Sequence, residues 1–334
     1  MKYEKLSNDI WSGRIDSLED KSSYRWHQVI KKIDFNDFQS IQFNEKDIKF
    51  CFIGFCCDAG IKINLGRIGA FKGPIAIREQ MSNLPFNFND NVKIYDIGNI
   101  LCKDQKHLKD AQELLGTLVQ KIKEKGIIPI VLGGGHEVAY GNFQGLKKYV
   151  KNNNINSNIG IINFDAHFDM RPYENGASSG TMFRQIADDC LNSKDIFNYM
   201  VLGIQKYGNT RNLFTEADRL NVKYILSEDI KEGEILGILN KIQNFIRNKE
   251  LVHLTICSDV FSSAFAPGVS SPQPFGIDPK ISLGLIKNII RSGKIGTVDI
   301  AEVSPRFDED NITSKLISIL IFEIISTFIE VNEE

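Results

Sequence analysis

The sequence predicts an α/β fold in which a parallel sheet is flanked by helices, and two observations carry that prediction. Short β-rich runs alternate with longer amphipathic stretches almost from end to end. The glycine-rich and acidic segments fall at the ends of those runs, where open parallel sheets form their ligand crevices. The strands are read at 48–55, 92–98, 127–135, 159–167, 198–205, 222–226, 251–260 and 294–303. Helical patterns lie between them near 73–83, 104–125, 137–151, 180–191, 210–220, 231–247, 279–292 and 311–330. Gly73-Pro74 starts the first helix, with proline at an early helical position, and Gly126 stops the second. The Asn-rich stretch 151–158 is too short for an interdomain linker and reads as a polar surface loop. Residues 1–47 lack a strong period and are expected to be an N-terminal extension packed on a single domain spanning 48–334.

Composition narrows the function classes. The 334 residues carry 40 Lys+Arg against 42 Asp+Glu, a formal charge of −2, with 42% hydrophobic content. A balance this even gives no chain-wide electrostatic footprint for nucleic acid or an anionic membrane, so a small-molecule partner is expected. The amino terminus has no apolar run followed by a small-residue cleavage site, which predicts a cytoplasmic chain. The most apolar stretch, Leu316 to Ile329, is interrupted by Glu323 and falls short of the roughly 20 residues of a spanning helix. It reads as a buried C-terminal helix. Of the six cysteines, Cys51, Cys56, Cys57, Cys102 and Cys190 are expected to be reduced, buried thiols, since none has CxxC spacing. Cys257 sits in a more interesting context.

Three motifs fall at predicted strand ends. In Asn163-Phe-Asp165-Ala-His167-Phe-Asp169, the alternation of an extended backbone directs Asp165, His167 and Asp169 to one side. Two carboxylates and an imidazole converging there suit a divalent metal of the Mn/Zn/Fe type, although a hydrogen-bonded loop has the same composition. Gly133-Gly134-Gly135-His136-Glu137 allows a tight turn that exposes His136 at the top of the sheet. Phosphate binding is the weaker reading of that turn, which lacks both GxGxxG spacing and a GK[ST] ending. In Cys257-Ser258-Asp259, Cys257 and Asp259 share a face by the same alternation, and the loop 266–272 forms a pocket wall. A cysteine on a central strand is equally well a small core hydrophobe.

With those residues in view, the chain resembles the ureohydrolases of the arginase/agmatinase family, and most of all their formimidoylglutamase branch, over roughly residues 50–330. GGGHE (133–137), FDAHFDMRP (164–172), SSGTMFRQ (178–185), APGVSSP (266–272) and DIAEVSP (299–305) carry the resemblance. Asn64, Arg67, Gly69, Gly73 and Pro74 fit the family's early glycine-rich segment. The resemblance implies a three-layer α/β/α sandwich with a mostly parallel, about eight-stranded sheet. It also implies two Mn²⁺ ions held by His136, Asp165, His167, Asp169 and Asp259. The family's sixth ligand, a bridging aspartate, is replaced here by Cys257, whose thiolate is softer than a carboxylate. A thiolate-modified two-metal site, a single occupied site and compensation by the other ligands are all open on the sequence.

The activity implied is metal-assisted hydrolysis of N-formimidoyl-L-glutamate to L-glutamate and formamide, a step of histidine breakdown. Asp169 then passes the proton to the departing nitrogen, and Glu302 holds the cationic amidine. Arg184 or Arg171 is expected to meet the substrate carboxylates, with Asn209 and Tyr207 as neutral donors. The alternatives are hydrolysis of agmatine or a guanidino acid, and a metal-poor, non-catalytic ligand-binding relative. The family resemblance further implies a homo-oligomer.

Overall fold

The computed structural model describes residues 1–7, 9–38 and 40–333. Its strands are β1 (Lys2–Glu4), β2 (Lys31–Lys32), β3 (Ile48–Cys57), β4 (Val92–Cys102), β5 (Ile128–Gly133), β6 (Ile159–Phe164), β7 (Tyr199–Ile204), β8 (Lys223–Leu226), β9 (Leu251–Cys257) and β10 (Ile295–Ala301). They form one ten-stranded sheet in the order β1-β4-β3-β5-β10-β9-β6-β7-β8, with β2 also paired to β4. Every pairing is parallel except β1 with β4. The helices are α1 (Trp26–Val29), α2 (Phe35–Phe38), α3 (Ala59–Ile63), α4 (Gly73–Ser82), α5 (Leu108–Glu124), α6 (Val138–Asn152), α7 (Met182–Ser193), α8 (Arg211–Arg219), α9 (Ile235–Ile246), α10 (Pro279–Ile290) and α11 (Ile312–Glu333).

The central strands are mostly apolar on both faces, so helices cover the sheet on both sides, and the pleat sorts the side chains between them. Phe50 and Phe52 of β3 enter one core with Ile77, Ile242, Ile286 and Ile321, from α4, α9, α10 and α11. Cys51, Ile53 and Phe55 enter the opposite core with Leu115 and Val119 of α5. Phe143 and Leu146 of α6, Ile186 of α7 and Leu213 of α8 continue that second layer over β6 and β7. The result is the expected α/β/α sandwich. Helix α5 ends as its glycine predicts: Gly126, at φ +67°, donates to Lys123 O, and Ile127 donates to Ile122 O, closing a Schellman motif.

The sheet has two strands beyond the eight expected, both from residues 1–47. β1 and β2 are too short to leave a period in the sequence, and both pair with β4. β4 itself runs past Gly98, where an added Cβ would meet Glu4 O at 2.5 Å, and a register shift opposite Phe52/Gly54 marks a bulge. Trp11 Nε1 donates to Asp96 Oδ2 at 2.9 Å, and Trp26 stacks on Phe52, so the extension closes one face of the core. Buried Arg78 of α4 clamps the same Asp96 from Nε (2.7 Å) and Nη2 (2.9 Å). Helix α11 is long and apolar enough to cross a membrane by composition, but 61% of its apolar window is buried inside the protein, where it packs on α4 and α10. It is a core helix.

Candidate metal centre

Four neighbouring strands in the middle of the sheet, β5, β10, β9 and β6, end side by side and position the site. β5 stops at Gly133, and the glycine turn presses against the end of β3. Gly135 N–H donates to Cys57 O at 2.7 Å, and a Cβ on Gly134 would lie 1.8 Å from that same oxygen. Only glycine fits. The turn delivers His136 to the top of the sheet, where it is buried rather than exposed as the sequence predicts, because Asp165, Asp169, Thr255 and Phe183 surround the ring. Glu302 N–H donates to Gly134 O at 2.8 Å, and His136 N–H donates to Glu302 Oε1 at 3.0 Å. Glu302 pays for this exchange with a left-handed backbone, φ +68°.

The two other motifs reach the site differently from the alternation predicted. β6 ends at Phe164, so Asp165, His167 and Asp169 lie on an irregular turn and not on a pleated strand. Asp165 Oδ1 accepts from His167 N–H at 2.8 Å, which curls the chain, and Asp169 adopts φ +50°. Likewise β9 ends at Cys257, and Ser258–Val260 is a single 3₁₀ turn. Cys257 and Asp259 therefore diverge. The sulfur of Cys257 joins donor atoms of His136 and Asp165 within a 4.8 Å cluster, while Asp259 joins Asp165 and His167 in a second. His136 Nδ1 lies 3.0 Å from Asp165 Oδ2 and 3.1 Å from Asp169 Oδ2. His167 Nδ1 lies 3.2 Å from Asp259 Oδ2.

Without a cation, this concentration of buried acid retains protons. Burial opposes charging His136, but Asp165 and Asp169 outweigh it and hold the imidazole well above its usual range. Burial likewise opposes a charged His167, and Asp259 and Asp165 override it. Burial also works against the Asp165 charge, yet the two imidazoles keep its carboxyl below the ordinary range. Asp169 is pushed up to about 6 by burial and by the Asp165 charge. Burial raises Glu302 well above normal, helped by Asp259 and Glu137, and raises the Cys257 thiol, helped by Asp165, Asp259 and Glu302. Asp259 Oδ1 and Glu302 Oε2 are buried without a hydrogen-bond partner. Nitrogen, sulfur and carboxylate donors arranged in this way fit divalent metal, which neutralises the acids and displaces the protons.

A cavity of about 290 Å³ opens above these donors, lined by His136, His167, Asp169, Cys257, Asp259 and Glu302 at its base. Arg171 lines its wall, with Nη1 donating to Asn64 Oδ1 at 3.3 Å. Arg184, Asn209 and Tyr207 do not line it. Arg184 is committed to Asp188 and Glu216, Asn209 bridges Ala166 O, Gln205 O and Phe168 N, and Tyr207 is exposed. Arg184 lies on α7, and Tyr207 and Asn209 lie in the segment after β7, where these side chains meet other partners or solvent rather than the cavity. In their place the structure brings Arg67, Ser179, Ser270 and Ser271. Ser270 and Ser271 lie on the loop read as a pocket wall, and Ser179 in the SSGTMFRQ stretch; Arg67, noted in the early glycine-rich segment but not as a lining residue, holds that loop from Nε and Nη2 at Ser270 O (2.9 Å) and Val269 O (2.7 Å). A larger groove of about 890 Å³ beside α5 and α6 has no histidine or cysteine in its lining among the described residues. The histidine, cysteine and acid donors gather at the smaller cavity.

A doubly covered, mostly parallel sheet with an acid- and histidine-rich crevice at its central strand ends defines a hydrolase of the arginase kind. The arginase family's sequence pattern matches residues 48–326, and the chain belongs to that family. It is 47% identical to a formimidoylglutamase of Clostridium tetani, over 99% of this chain and 98% of the relative. It is 42% identical to a formimidoylglutamase of Fusobacterium nucleatum, over 94% of this chain and 96% of the relative. Among solved structures, formimidoylglutamase from Bacillus subtilis superposes with a TM-score of 0.75 at 20% identity, covering 93% of this chain and 94% of that one. Trypanosoma cruzi formiminoglutamase with Mn²⁺ superposes with a TM-score of 0.74 at 22% identity, covering 86% and 95%. These structural likenesses establish the fold.

Proposed function

We propose that this chain hydrolyses N-formimidoyl-L-glutamate to L-glutamate and formamide, using two Mn²⁺ ions held by His136, Asp165, His167, Asp169, Asp259 and Cys257. The convergence of those donors beneath a cavity walled by Arg171 carries the proposal. The two donor clusters share Asp165, which supports two ions rather than one. Relatives named formimidoylglutamase, matched over nearly their whole length, support the substrate. Bound divalent metal supplies Lewis acidity that lowers the pKa of water from 15.7 to roughly 7.

The protein's own groups do the rest. Glu302, whose Oε2 has no partner, holds the cationic amidine in the cavity. Asp169, at the edge of the donor cluster and lining the cavity, takes the proton from attacking water and returns it to the glutamate nitrogen as the C–N bond breaks. Arg171 pairs with a substrate carboxylate. With Arg67 also in the lining, the cationic wall favours an anionic amidine over agmatine, whose amine and guanidinium are both positive. All six cysteines are unpaired and buried, in keeping with a cytoplasmic enzyme.

The test is a product assay on Mn²⁺-loaded protein. Glutamate and formamide released from formimidoylglutamate, in equal amounts and in excess of any urea from arginine or agmatine, is the expected result. Urea without glutamate contradicts it.

A further inference from the structure

Beneath His136 a column of buried polar side chains runs along one face of the sheet, between β9, β10 and α6, away from the cavity. Thr255 on β9 and Asp299 on β10 are register partners, and Thr255 Oγ1 lies 2.6 Å from Asp299 Oδ1. The same Oγ1 lies 2.9 Å from His136 Nε2. The far oxygen of Asp299 accepts from Asn142 Nδ2 at 2.7 Å and from His253 Nε2. Asn142 Oδ1 accepts from Thr297 Oγ1 at 2.7 Å. Thr255, Asp299, Asn142, His253 and Thr297 are all fully buried, and none lines the cavity. Replacing a buried polar network by apolar side chains of similar volume is often neutral or stabilising, so stability alone does not account for the column.

We propose that Thr255 and Asp299 are positioning residues that fix the tautomer and ring angle of His136 for metal. The reasoning is a proton count. A threonine hydroxyl has one proton, and an ionised carboxylate only accepts. Asp299 therefore takes the Thr255 proton, and the remaining Thr255 lone pair accepts from His136 Nε2–H. The ring is left with its Nδ1 lone pair directed at Asp165 and Asp169, with which it would hold the ion. The hydroxyl is a relay by which a carboxylate one layer down orients a metal ligand and raises its basicity. This inference rests on the metal centre proposed above.

Thr255→Val, which keeps the side-chain shape, and Asp299→Asn separate the two. Mn²⁺ stoichiometry and affinity are measured by equilibrium dialysis on the full chain, alongside the thermal midpoint of the metal-free protein. The expected result for Thr255→Val is a loss of roughly 10- to 100-fold in affinity for one of two ions with the metal-free midpoint little changed. Thr255→Ser restores the affinity, and Asp299→Asn also loses affinity, because its amide sets an NH2 either against Thr255 or against the Asn142 and His253 donors. At saturating Mn²⁺ the kcat of Thr255→Val recovers. Parent-like binding of two ions by both Thr255→Val and Asp299→Asn overturns the inference alone. A parent chain that binds no Mn²⁺ overturns the metal centre and this inference with it.

Discussion

Cys257 stands where its sulfur meets an imidazole and a carboxylate in one buried cluster, and what that sulfur does is a question of donor chemistry. A thiolate binds Co²⁺ and Zn²⁺ readily and Mn²⁺ less so, whereas the carboxylates around it prefer harder ions. If Cys257 is a ligand, Co²⁺-loaded protein shows a sulfur-to-metal charge-transfer absorption that is lost in Cys257→Ser. A Co²⁺ complex with the same spectrum in parent and variant removes Cys257 from the ligand set. Glu302 is separable from the metal because one oxygen holds His136 N–H while the other is free. Glu302→Gln keeps the backbone contact and loses the charge. Its kcat/KM is expected to fall about 10- to 100-fold with Mn²⁺ content unchanged, the worth of one charge-assisted hydrogen bond. At this scale the donors were legible from motif spacing, but their grouping was not. Asp165 pairs with both histidines because the chain curls after Phe164, and an unpleated turn leaves no periodic trace in sequence.

Among the elements, the glycine turn between β5 and α6 couples the fold to the site. Gly134 touches the end of β3, and its carbonyl receives Glu302 N–H from the end of β10, so three strands meet at one residue. Gly134→Ala drives a methyl into Cys57 O. A loss of about 3 kcal/mol, seen as a lowered denaturation midpoint, is expected together with weakened Mn²⁺ binding. An unchanged midpoint means that the turn can move aside. Secondary structure was legible wherever periods were long: all eight strands and eight helices read from the sequence are present, with strand ends trimmed at the motifs. The edge strands β1 and β2 were not, since strands of three and two residues are made by pairing with β4 rather than by local pattern. Arg184, Asn209 and Tyr207 show the same limit in side-chain form. Nearness in sequence to a motif says little about which way a turn directs a side chain.

Over the whole molecule, a formal charge of −2 conceals a local surplus of buried acid at the central strand ends. That surplus makes metal-free stability depend on pH with a definite sign. Asp169 near 6, Glu137 near 7, and raised Glu302, His136 and His167 all bind more protons folded than unfolded. Their unfolded values are about 4 for the carboxyls and about 6.5 for histidine. Stability is therefore fully present below those values and is lost as pH rises through 6, then 7, and on as the histidines discharge. Depressed Asp165 acts in the opposite sense, and only in acid. The metal-free protein is expected to melt at a lower temperature at pH 8 than at pH 6, while Mn²⁺ affinity rises over the same interval because the metal displaces those protons. A metal-free midpoint that rises with pH contradicts this reading of the site.

All of this turns on two ions sharing Asp165 in a pocket that includes a thiol. An anomalous-scattering map of Mn²⁺-loaded crystals tests that directly. Two peaks per chain are predicted, one among His136, Asp165, Asp169 and Cys257 and one among Asp165, His167 and Asp259. A single peak, or two peaks with the Cys257 sulfur outside coordinating distance of both, contradicts it.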